Sequence, residues 1–169
     1  EIYDILALLI RDNVPSLHIL DVLTELYDRL TKRAVAIAVD TLKVQGLGSP
    51  PAAFIWYQMG SSGRGEQFVL TDQDHFLVYE EVEENKKEEV EDYFSRLGKE
   101  ITNNLEKAGY ERCKGNMMAS EPMWRGSLSK WRETLRRWSM RSTNDTLLLA
   151  QNFFSFRKLY GSEELHADF

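Results

Sequence analysis

Apolar residues in the first quarter of the chain recur at helical spacing. Leu17, Leu20, Leu23, Tyr27, Leu30, Ala34, Ile37 and Leu42 share one face and predict a long helix over Ser16–Gln45. A short apolar helix over Ile2–Ile10 precedes it, cut off by Asp12, Asn13 and Pro15, and Pro15 suits the first turn of the helix that follows. Gly46, Gly48, Pro50 and Pro51 end that helix. Two unbroken apolar and aromatic runs, Ala53–Met59 and His75–Tyr79, have strand composition. Arg64–Phe68, between them, reads as one or two helical turns. Val90, Tyr93, Phe94, Leu97, Ile101 and Leu105 mark the face of a helix over Lys86–Ala108. Trp124, Leu128, Trp131, Leu135 and Trp138 step by four and three, an apolar helical seam opposed by Lys130, Arg132, Arg136, Arg137 and Arg141. Tyr110–Met118 reads as a short strand and loop, Leu147–Leu149 as part of a short helix, Asn152–Tyr160 as a strand and Gly161–Phe169 as a closing helix. Helices, then strand–turn–strand, then helices and a late strand predict an α+β domain: a small mixed β-sheet flanked by N-terminal and C-terminal helices. The expected division is an N-terminal helical region over residues 1–48 and a core with C-terminal helices over residues 49–169, one compact unit.

Composition narrows the functional classes. The chain has 169 residues, with 21 Lys and Arg against 27 Asp and Glu, for a net charge of −6. That balance argues against a nucleic-acid partner, whose backbone calls for a basic surface, while leaving room for a small anionic ligand held through a metal. One cysteine, Cys113, excludes an internal disulfide and fits a reducing compartment, so a cytoplasmic location is expected. No apolar run is long enough to span a membrane, and Glu1–Arg11 lacks the basic start of a signal peptide. The first residue is Glu rather than Met, which reads as a piece cut from a longer protein.

The most specific stretch runs from Met59 to Asp74, MGSSGRGEQFVLTDQD. Its first half is a glycine-rich turn after a strand. Glycines let backbone N–H groups approach an anion closely, Ser61 and Ser62 add hydroxyls, and Arg64 adds a fork that matches phosphate oxygens. In the second half, Asp72 and Asp74 stand two apart at a strand entrance, where side chains share a face. Paired hard carboxylates suit Mg²⁺ together with substrate phosphates. An anion cradle beside a divalent-cation site makes a nucleoside-triphosphate site the concrete expectation. Competing chemistries fit poorly. His18, His75 and His166 lack ligand spacing, no Gly-x-Ser-x-Gly or Gly-Lys-Ser/Thr occurs, and Cys113, without a histidine partner, reads as an ordinary core or loop thiol.

Gly60-Ser61, ten residues, then Asp72-Gln-Asp74 resembles the signature of the DNA polymerase β-type nucleotidyltransferases. The longer string GSSGRGEQFVLTDQDH resembles two narrower groups. One is the uridylyltransferase that modifies the nitrogen-signalling PII protein. The closer one is the nucleotidyltransferase domain found beside CBS and cyclic-nucleotide-binding domains in signalling proteins. That likeness extends to Cys113–Ser120, Pro122–Arg125, Trp131, Phe153–Arg157 and Gly161. The resemblance implies that Gly60 and Ser61 hold the triphosphate, that Asp72 and Asp74 hold Mg²⁺, and that a nucleoside monophosphate passes to a protein or small-molecule acceptor. For Arg64, in a Gly-Arg-x-Glu pattern with Glu66, phosphate contact and an internal pairing both stay open. Relatives carry an acid where this chain has Ser155, which leaves two expectations: transfer with another acid substituting, or a catalytically weak nucleotide-binding regulatory module. His75 stands where relatives often have Asn and reads as a strand residue, not a ligand.

Overall fold

The computed structural model describes residues 2–68, 72–140 and 144–169. In chain order the elements are α1 (Ile2–Arg11), α2 (Ser16–Leu42), β1 (Phe54–Gln58), α3 (Gly60–Gly63, a single helical turn), β2 (Asp72–Gln73), β3 (His75–Tyr79), α4 (Lys87–Lys107), β4 (Glu111–Arg112), β5 (Arg125–Ser127), α5 (Leu128–Met140), α6 (Asn144–Phe153), β6 (Arg157–Gly161) and α7 (Glu163–Asp168). The result is the mixed α+β architecture expected. A four-stranded sheet runs in the order β5-β3-β1-β6, with β1 antiparallel to β3 and β6, and β3 parallel to β5. A separate two-residue bridge joins β2 to β4 in parallel.

Every residue of β1 and β3 is buried, because helices cover both faces of the sheet. This explains why both strands read as unbroken apolar runs rather than alternating ones. Phe54, Trp56, Leu77 and Tyr79 pack into one cluster with Leu23, Val35 and Ala38 of α2 and Phe94, Leu97 and Ile101 of α4. Ile55, Tyr57, Phe76 and Val78 face the other way, into Trp131 of α5, Phe153 of α6 and Leu165 of α7. The indole N–H of Trp131 donates to the Leu77 carbonyl at 3.1 Å, fixing α5 to the sheet.

Four sequence expectations are corrected. The long helix stops at Leu42 and continues as a wider π turn over Lys43–Leu47, opened by Gly46 at φ 88°. Arg64–Phe68 is not helical; the helical turn is Gly60–Gly63, before it. Trp124 lies in a 3₁₀ turn ahead of β5, so the α5 seam starts at Leu128, although Trp124 still packs at a tilt against Trp131 and Trp138. Asn152 and Phe153 end α6, and the late strand begins only at Arg157. Arg141, of the basic face, lies outside the described residues. Among the described residues, no helix is long and apolar enough to cross a membrane.

Candidate active site

The end of β1 delivers the chain into the glycine turn. Met59 is extended, and Gly60 then adopts φ +59°, a left-handed conformation that side chains resist. A second constraint acts at the same atom. A Cβ on Gly60 would stand 2.7 Å from Asp74 Oδ2, so the carboxylate lies directly against the turn. The helical turn closes through Gly63 N–H to Met59 O at 3.1 Å and Arg64 N–H to Gly60 O at 3.2 Å. It spans only four residues. What it offers an anion is therefore its leading N–H groups, which no helical carbonyl accepts, and not a helix dipole.

Asp72 and Asp74 reach the site by a route the sequence does not show. The run from Asp72 to Tyr79 is not one strand: it changes partners at Asp74. Asp72 and Gln73 pair with Glu111 and Arg112. The Asp74 carbonyl accepts from Met59 N at 3.0 Å, and His75 N–H donates to Met117 O at 3.0 Å. The two carboxylates nevertheless converge, and a third side chain joins them. One ligand atom each from Asp72, Asp74 and Cys113 lie within 4.8 Å of one another. The pairing of β2 with β4 places Cys113 there, immediately after Arg112. A pocket of about 400 Å³ opens on Asp72 and Cys113, with Glu111, Arg112, Lys114, Gly115 and Met117 around it.

Electrostatics mark this cluster as a place short of positive charge. Burial pushes the Asp74 carboxyl above its ordinary range; the Asp72 charge adds to that, while hydrogen bonding from the Cys113 thiol and the Arg64 charge oppose it. Burial, and then the Asp74 carboxylate, push the Cys113 thiol up to about 11. Asp74 Oδ1 is buried with no hydrogen-bond partner among the described residues. Two acids held together, one with an orphaned buried oxygen, fit a divalent cation.

The surrounding residues are occupied structurally. Arg64 Nε donates to Glu66 Oε2 at 2.7 Å, the internal pairing, on an exposed surface where such a pair adds little stability. Arg157 forms a fork with Asp28, at 2.6 and 2.8 Å, and also donates to the Ser62 carbonyl at 3.2 Å, bracing the turn from below. Ser155 places its hydroxyl against the Gln151 carbonyl at 3.4 Å. Among the described residues no carboxylate completes the Asp72–Asp74 group; Cys113 does. The stretch Cys113–Ser120 backs the aspartates: Ala119 N–H donates to His75 Nδ1 at 3.0 Å, and buried Arg125 donates to the Ser120 carbonyl at 2.8 Å.

His75 is a structural residue. Because Nδ1 accepts from Ala119, the proton sits on Nε2, which donates to Gln73 Oε1 at 3.0 Å, and Gln73 in turn donates to the Thr102 carbonyl. Full burial holds the imidazole pKa down at about 3. Between that value and an unfolded value near 6.5, the unfolded chain binds a proton that the native chain does not. His75 therefore withdraws about 2 kcal/mol of stability between pH 7 and pH 5. The expected observation is a His75 ring signal that keeps its neutral position across that range by NMR, while urea unfolding shows the loss. A ring signal titrating with an ordinary midpoint would contradict it.

A glycine turn at the end of a central strand, facing paired acids at the entrance of the neighbouring strand, is the arrangement of a nucleotidyltransferase-type domain. A family profile described as "Putative nucleotidyltransferase DUF294" matches residues 1–145, and the chain belongs to that family. No curated protein matches the chain. The matched segment stops short of β6 and α7, which complete the sheet beside β1 and its second covered face.

Proposed function

We propose that this chain is a Mg²⁺-dependent nucleotidyltransferase that moves a nucleoside monophosphate from a nucleoside triphosphate to a protein or small-molecule acceptor. The observation that carries the reading is the contact between Asp74 and the turn: a carboxylate set against Gly60, in a cluster with Asp72, puts a cation's ligands beside N–H groups suited to phosphate. In this reading the N–H groups and hydroxyl of Gly60 and Ser61 hold the triphosphate tail, and Asp72 and Asp74 hold the cation. Bound there, the cation would supply charge neutralisation on the phosphate oxygens. An acceptor hydroxyl gives up its proton to solvent as its oxygen bonds to the α-phosphorus, the bond from that phosphorus to the bridging oxygen breaks, and pyrophosphate leaves with the electron pair. Arg64, tied to Glu66, is near enough to act on Asp74 electrostatically and is assigned to phosphate only after that pair opens.

A second reading has its own observation. With Ser155 bonded to Gln151 and a thiol rather than an acid as third member of the cluster, no third carboxylate among the described residues joins the group to act as a base. A nucleotide-binding regulatory module with weak or no transfer would result. Either activity belongs, in this proposal, to a cytoplasmic signalling protein in which CBS or cyclic-nucleotide-binding domains neighbour this unit, with residues 1–48 forming a helical region against the 49–169 core.

The test incubates the chain with each α-labelled triphosphate, Mg²⁺ and a host-cell lysate. A labelled macromolecule or small product with matching pyrophosphate supports transfer. Nucleotide binding without pyrophosphate release, unless Ser155→Asp restores it, supports the regulatory module. No binding of any triphosphate defeats both.

A further inference from the structure

The sequence reads the third member of the cluster as an ordinary core or loop thiol, and it is indeed buried on a loop, but beside both aspartates. Cys113 is 5% exposed, on the loop after β4. Its position is fixed from two sides: Asn116 N–H donates to its carbonyl at 3.0 Å, and Met117, further along the same loop, is bonded to His75 N. Its sulfur lies within 4.8 Å of a carboxylate oxygen from each aspartate. Asp74, whose Oδ1 is buried without a hydrogen-bond partner among the described residues, is a member of the cluster, and the 400 Å³ pocket gives solvent a way to Asp72 and Cys113 together.

That donor set mixes two chemistries. Mg²⁺ demands an oxygen shell and gains nothing from sulfur. Divalent cations of the zinc and cobalt type take carboxylate oxygen and thiolate sulfur readily. We infer that Cys113 is a third protein ligand, with Asp72 and Asp74, for a thiophilic divalent cation, so that one centre takes Mg²⁺ through oxygen alone and softer cations through oxygen and sulfur. The inference rests on the reading that the two aspartates hold a cation. The step is a coordination: the S–H bond breaks, the proton passes to water, a sulfur–metal bond forms, and no electrons change hands. A tetrahedral centre with metal–sulfur near 2.3 Å and metal–oxygen near 2.0 Å sets its ligand atoms about 3.5 Å apart, a separation that falls inside the limit within which the three side chains already lie. Water from the pocket fills the remaining position. A softer cation held this way competes with Mg²⁺ for both carboxylates, making the enzyme sensitive to which divalent ion is present.

The experiment titrates Co²⁺ into the metal-free 169-residue chain and follows thiolate-to-cobalt charge-transfer absorption, with Mg²⁺ binding measured separately by calorimetry. One equivalent of Co²⁺ should raise the band in the parent chain. Cys113→Ser should bind Co²⁺ without the band and more weakly, while Mg²⁺ affinity stays within about twofold. Partners one step removed from a metal already cost roughly ten- to a hundredfold when lost, so loss of a ligand is expected to cost at least about tenfold. Mg²⁺ binding with no Co²⁺ band in the parent, or equal Co²⁺ affinity in parent and Cys113→Ser, overturns the cysteine's role and leaves the aspartate site standing. If neither ion binds the parent, the underlying reading fails as well. The band in the parent needs no variant, so a misfolded Cys113→Ser does not spare the inference.

Discussion

Replacing Asp72 and Asp74 together by asparagine is expected to cut metal-dependent nucleotide turnover by about three orders of magnitude or more, while the fold survives. A cation spread over transferring phosphate oxygens is worth several kcal/mol of transition-state stabilisation, and about 4 kcal/mol corresponds to a thousandfold in rate. Asparagine keeps the shape of each side chain and removes only the charge that would hold the ion. The fold should tolerate this because burial disfavours the Asp74 charge in the metal-free protein. Burial and the Asp72 charge already push Asp74 toward its neutral form, so removing both charges relieves a repulsion. The double variant should therefore melt at or above the temperature of the metal-free parent. Millimolar Mg²⁺ with nucleotide should raise the parent's melting temperature by mass action and leave the variant's unmoved. Turnover unchanged in a folded double variant would sink the assignment of these two residues.

The sequence made this pair visible and concealed how it is built. Asp72 and Asp74 were expected to converge because residues two apart on a strand share a face. They do converge, but the strand breaks between them, and β2 finds a separate partner in β4. A two-residue parallel bridge has no hydrophobic pattern of its own, so nothing in the composition of Glu111-Arg112 announces it. The same bridge brings Cys113 to the aspartates, which is why the thiol looked ordinary from its neighbours in the chain. Elements buried on a continuous stripe were legible: β1, β3 and the α4 face from Val90 to Leu105 stand where their apolar runs predict. The aromatic cluster near the C-terminus was not. Phe154 and Phe156 sit two apart, a strand spacing, while Phe153 and Phe156 sit three apart, a helical one. In the protein Phe153 packs from the last turn of α6 onto Phe76 and Trp131, and the strand begins four residues later. The turn after β1 stands where the sequence puts it, but its helical form was expected only further on, at Arg64–Phe68. Gly60-Ser-Ser-Gly63 has poor helix propensity, yet it curls into a helical turn because Met59 and Gly60 present their carbonyls to Gly63 and Arg64 and because packing holds it there.

Gly63 shows how tightly that packing is drawn, and Gly63→Ala is expected to be among the most damaging single-methyl changes in the chain. A Cβ at this position would stand 1.7 Å from the Ser155 carbonyl oxygen, 2.8 Å from its carbon and 3.2 Å from the Gln58 carbonyl. All three obstacles are backbone, so no side-chain rotation clears them. The turn would have to part from the segment joining α6 to β6, and that segment also carries Arg157, whose guanidinium holds both Asp28 and the Ser62 carbonyl. Overpacking of well-filled sites usually costs between about 1 and 3 kcal/mol, and an obstruction made wholly of backbone belongs at or above the upper end. For a chain of this length that corresponds to a fall of roughly 10 °C in melting temperature, readable by thermal and urea unfolding. A compensating change at Ser155 should give no rescue, because the obstructing atoms are main-chain atoms that any residue there would present. Gly60 at the start of the turn lies against Asp74 while Gly63 at its end rests on Ser155, so moving the turn off that support also displaces Gly60 from Asp74. Nucleotide affinity should consequently fall in Gly63→Ala even at temperatures where the variant is fully folded. Parental stability with parental affinity would mean that the turn does not depend on this contact.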